Sequence, residues 1–133
     1  MRPNNRKNFD RQIEWVLSRL PQKVLHLLME VPLHVEDQPS KQLMRKLNIE
    51  DADELCGYFC GVPKGESNAC FVPDAPMLTS ITIFRRGIVA ATRNEWGIVS
   101  KSELRKQIRI TVLHELAHYH GIDEEELIEI GYG

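Results

Sequence analysis

SKSELRKQIRITVLHELAHYHG, residues 100–121, decides the fold. Apolar residues recur through it at helical spacing: Leu104, Ile108, Val112, Leu113, Leu116 and Ala117. Ser100 followed three residues later by Glu103 is a capping box, and Gly121 ends the pattern as a left-handed C-terminal cap. The spacing predicts one helix of roughly 30 Å between these signals. Its second half, ITVLHELAH, is apolar nearly all round, so it belongs in the interior. The same half carries the chemistry. His114 and His118 stand one turn apart on one face, close enough for both imidazoles to reach a single ion. Glu115, turned about 100° from His114, would stand beside that ion, where a base for a bound water belongs.

Two histidines leave a catalytic zinc ion short of its usual three protein ligands. His120 is turned about 200° from His118 and is a poor third ligand. A chain reversed at Gly121 brings residues 123–126 back beneath the metal. Asp123, with Glu126 three residues on, forms a capping box for a short final helix. Glu124 is left free to turn inward and is taken as the third ligand, with Asp123 as the alternative. H-E-x-x-H alone arises in roughly two of a hundred shuffles of this composition, and the glycine and acid that follow lower that to about one in ten thousand.

Outward from this helix, the chain has 133 residues, enough for one domain with one core. A net charge of −2 gives no electrostatic case for nucleic acid or an anionic membrane. No apolar run is long enough to cross a bilayer, and the polar first eight residues lead into no apolar leader segment. Cys56, Cys60 and Cys70 do not fit structural-zinc spacing; they read as small buried thiols, and the expected location is cytoplasmic.

Residues 1–8 read as a flexible tail and 9–133 as the single domain. Helices are expected over 9–20 and from Pro21, where Val24, Leu25 and Leu28 form the inner face. Val31, Leu33 and Val35 then alternate with His34 and Glu36 as a half-buried strand. A short helix is expected over 40–47, a strand over 56–62, a long loop after Pro63, and the clearest strand over 79–86. The sum is an α+β domain with a small sheet packed on one long buried helix.

HELAHYHGIDEEEL resembles the H-E-x-x-H-x-x-G-x-x-D motif of the small bacterial zincin-like metallopeptidases. LPQKVLHLLMEVPLHVEDQP, GYFCGVP and ITIFRRGI are similar to that family's other pieces, in the same order. The resemblance implies a compact zincin-like fold, Zn²⁺ held by His114 and His118, Glu115 as general base and Gly121 as the turn. The family's tenth-place acid is usually Asp, and here it is Glu124, one methylene longer. No methionine follows the motif to make a metzincin Met-turn, and little chain is left for a gluzincin helix.

The function expected is zinc-dependent hydrolysis of a peptide or unstructured protein. The rival readings are a zinc-binding module acting through a protein partner, and a purely structural domain. Tyr119, His120 and Tyr132 are the candidates to stabilise an oxyanion. His26 and His34 read as ordinary structural histidines. Arg85 and Arg86 read as a solvated pair closing a strand, with a substrate carboxylate as the alternative. Trp96 is expected to pack beneath the loop before the long helix.

Overall fold

The computed structural model describes residues 3–60, 79–121 and 125–126. The long loop after Pro63, Cys70, both acids at 123–124, Tyr132 and the expected final helix other than residues 125–126, which are helical, lie outside them. The element order is α1 (Pro3–Ser18), α2 (Gln22–Leu28), β1 (Leu33–Glu36), α3 (Lys41–Lys46), β2 (Gly57–Cys60), β3 (Ser80–Phe84), α4 (Arg85–Thr92) and α5 (Lys101–His120). A 3-10 turn, Ala52–Glu54, precedes β2. The fold is α+β, with α5 packed on the sheet.

The three strands lie in the order β1-β3-β2. β1 runs parallel to β3, with Leu33 opposite Ile81. β2 runs antiparallel to it, with Gly57 opposite Ile83. β3 is central, and accordingly Ile81 and Ile83 are both fully buried. β1 alternates as expected, with Leu33 and Val35 half-buried and His34 and Glu36 exposed. Phe9, Ile13 and Val16 of α1 meet Leu104, Ile108, Val112 and Leu116 of α5 in one core cluster with the β3 isoleucines. Each such side chain contributes about 1.5–3 kcal/mol by leaving water.

Three expectations change. The first helix begins at Pro3, so residues 3–8 are helical rather than a tail. Two contacts hold this turn: Phe9 is 1% exposed, and Arg6 bonds Asp37 just beyond β1. Arg85 and Arg86 open α4 rather than closing the strand, and while Arg86 stays exposed, Arg85 leaves solvent. The Arg85 side chain is 11% exposed and reaches Asp10 through Nε at 2.9 Å and Nη2 at 3.1 Å. Its Nη1 donates to Asp37 at 2.9 Å, so one guanidinium ties α1 and β1 to the β3–α4 junction. Arg86 pairs with Asp53 at 2.9 Å. Gly87 is buried inside α4 against Leu55.

Trp96 does not pack beneath its loop; it is 78% exposed. Asn94 Oδ1 accepts from the Trp96 and Ile98 amides, each at 2.9 Å, and Val99 rather than Trp96 packs against the core. Among the described residues, no helix is long and apolar enough to cross a membrane.

Candidate metal centre

The two ends of α5 are fixed by local chemistry. Ser100 Oγ accepts from the Glu103 amide at 3.1 Å, satisfying one of the free donors of the first turn. At the other end Gly121 adopts φ 64°, a left-handed conformation that costs glycine nothing, and its amide bonds back to Ala117 and His118. The helix stays regular between these caps, so the four-residue spacing of His114 and His118 becomes a spatial pair.

The pair converges. The two Nε2 atoms lie 3.1 Å apart, with the rings at 88° to each other. Both residues are exposed, while residues 111–113 and 115–117 around them are buried. At their 3.1 Å separation both nitrogens could hold one zinc ion. Burial and the neighbouring His114 lower the His118 pKa, favouring the neutral imidazole that binds metals. The residues therefore fit zinc. His114, Glu115 and His118 form a group whose ligand atoms lie within 4.8 Å of one another. No other group of three or more His, Cys, Asp or Glu residues among the described residues could hold a metal ion.

Glu115 stands beside the pair, with a carboxylate oxygen within 4.8 Å of their ligand atoms, yet it is buried, 7% exposed. Burial raises its pKa, while His114 and a hydrogen bond from the Phe59 amide oppose the rise. The strand register explains that amide. The Phe84 amide bonds to the Cys56 carbonyl at 2.8 Å, so alternation makes Tyr58 opposite Thr82 the next bonded pair. The Phe59 N–H is thereby left on the open side of β2, toward α5. Gly57 lets the strand come that close. A Cβ there would lie 2.8 Å from Thr111 Cγ2 and 3.2 Å from Glu115 Cγ.

Of the expected oxyanion candidates, Tyr119 stacks obliquely on Phe59, with ring centroids 5.8 Å apart. His120 is turned away from the pair as expected, with Nε2 3.4 Å from the Leu27 carbonyl. His26 and His34 are exposed and take no part in the group. Cys56 is half-buried and carries no disulfide; its burial raises the thiol pKa. The sequence reading did not single out Gly57 or the Phe59 amide. The available signal was a glycine inside a strand pattern, which marks close backbone approach.

A search of curated proteins finds no match to the chain. A family model described as zincin-like metallopeptidase matches residues 28–133, which include all of β1, β2, β3 and α5. With its histidine pair and buried glutamate on a capped helix against a small sheet, the chain belongs to the zincin-like metallopeptidase family.

Proposed function

We propose that this protein is a zinc-dependent peptidase, in which His114, His118 and Glu124 hold the ion and Glu115 is the general base. The observation that carries this reading is the 3.1 Å convergence of the two imidazole Nε2 atoms beside a buried glutamate with a raised pKa. Bound zinc would supply Lewis acidity at the scissile carbonyl and acidify the attacking water. Glu115 takes the proton from that water and delivers it to the leaving amine. Its raised pKa suits the first step, since a more basic carboxylate accepts a proton more readily. The Phe59 amide fixes the orientation of the carboxylate. His114 and His118 contribute nitrogens as neutral imidazoles, while Glu124 adds the anionic ligand.

The substrate is an extended peptide or unstructured protein, whose main chain can pair with an edge of the sheet. β1 and β2 are both edge strands among the described residues. The proposed compartment is the cytoplasm, in keeping with the absence of a disulfide at Cys56.

The test separates ligand from base. Purified protein should carry about one zinc ion, lost in His114→Ala and His118→Ala and strongly weakened in Glu124→Ala. Glu115→Gln should keep the metal and lose hydrolysis of unfolded protein by roughly two or more orders of magnitude. Metal content unchanged in both histidine variants would sink the site. Zinc bound without hydrolysis in the wild type would favour a metal-binding module acting through a partner.

A further inference from the structure

The groove between the end of α1 and the start of α5 is basic. It is lined by Trp15, Arg19, Lys101, Arg105, Lys106 and Arg109, and no acidic residue lines it among the described residues. The chain as a whole carries −2, so this is a local gathering of five cations rather than a sign of a basic protein. Like charges at such spacing repel one another and oppose folding, and an anionic partner would offset that cost.

The arrangement is built rather than incidental. The Arg19 and Arg105 guanidiniums lie over the Trp15 ring, 4.0 Å and 3.7 Å from its centroid. Arg105 Nε also donates to Gln12 Oε1 at 2.7 Å. Gln12 is 3% exposed and is itself held, its Nε2 donating to Asn8 Oδ1 at 3.1 Å. A buried amide and an indole thus fix one guanidinium, while Lys101 and Lys106 stand exposed on the rim.

We propose that this groove docks an acidic, extended segment of a partner protein. A fixed guanidinium presents paired donors that match a carboxylate, and flanking lysines add charge without demanding a particular geometry. From Lys101 to Arg109 the groove runs about 12 Å, the length of three or four extended residues. Single-stranded nucleic acid fits less well, because the one aromatic ring lining the groove is already covered by two guanidiniums and offers no face to a base. The groove is also separate from the metal centre. Arg105 precedes His114 by nine residues, about half a turn around the helix and about 13 Å along it. A docked segment therefore leaves the histidine pair open, and the inference does not rest on hydrolysis.

Fluorescence anisotropy of a labelled, unstructured glutamate-rich peptide on the full chain tests it. The peptide should bind with an affinity that falls as salt rises. Lys101→Gln/Lys106→Gln should weaken binding at least about tenfold with a melting temperature no lower than wild type, since the variant relieves repulsion in the groove. Lys7→Gln/Lys41→Gln, the same charge change elsewhere, should stay within about twofold of wild type. No peptide binding, or equal loss in both double variants, would overturn the proposal. An oligothymidylate of matched charge binding as tightly would make the groove a general polyanion site and overturn the peptide assignment. Low-salt self-association abolished by Lys101→Gln/Lys106→Gln would assign the groove to a second copy instead.

Discussion

Two regions of this molecule set carboxylates against the packed elements and treat them in opposite ways. At the junction of α1, β1 and α4, Asp10 and Asp37 face Arg85, and Arg6 joins them at Asp37. Hydrogen bonding to Arg6, then to Arg85, holds the Asp37 carboxyl below its ordinary range against the opposing effect of burial. At the middle of α5, Glu115 is more deeply buried and receives one backbone N–H and the influence of His114, and burial raises its pKa. The first region matches charge with charge and so joins three elements. The second keeps a carboxylate poorly matched by the protein's own cations, next to two convergent imidazoles. Asp37 is neutralised by the fold; Glu115, the proposed general base, is left poorly matched at some cost in stability.

Arg85→Ala should show the largest effect. It leaves two aspartates without their shared cation and should cost about 2–3 kcal/mol in urea unfolding, less than a wholly buried network because Asp10 stays 45% exposed. A cost within experimental error would make the cluster ornamental and erase the contrast.

Gly57→Ala comes next. The new methyl group would meet Thr111 and Glu115, so β2 must move off α5 at about 1–2 kcal/mol, taking the Phe59 amide with it. Unchanged stability, with amide exchange at Phe59 unaltered, would show that the strand does not depend on this close approach.

Glu115→Gln in the metal-stripped protein should have the opposite sign from Arg85→Ala. Removing a buried charge while keeping an acceptor for the Phe59 amide should stabilise the fold by about 1 kcal/mol. A destabilised variant would mean that Glu115 is matched as fully as Asp37, and the comparison would fail.

The smallest effect is one of pH. Asp37 has a folded pKa below its ordinary 3.8, so its ion pairs add stability at neutral pH. That contribution is lost as the pH falls through the depressed folded value. Asp37→Asn should therefore melt below wild type near neutrality, and the gap should close in acid. A gap that persisted unchanged in acid would assign the loss to packing rather than charge.

The sequence by itself determined whatever depends on neighbours within a few residues. The caps of α5 at Ser100 and Gly121, its apolar second half, the pairing of His114 with His118 and the place of Glu115 beside them all follow from local signals and the 3.6-residue period. The alternation of β1 and the identity of β3 follow from the period of two. Tertiary structure decided what depends on residues far apart in the chain. Arg85 could be read as solvated until Asp10 and Asp37 came beside it, and residues 3–8 as a tail until Phe9 found the core. Trp96 could be read as packed until Asn94 turned its loop outward. The surroundings of Glu115 came from Gly57 and Phe59, more than fifty residues earlier, through a register that no local pattern encodes. Periodicity gives the direction of a side chain on its own element; what it meets there depends on how the elements pack, and that sets its charge state and its chemistry.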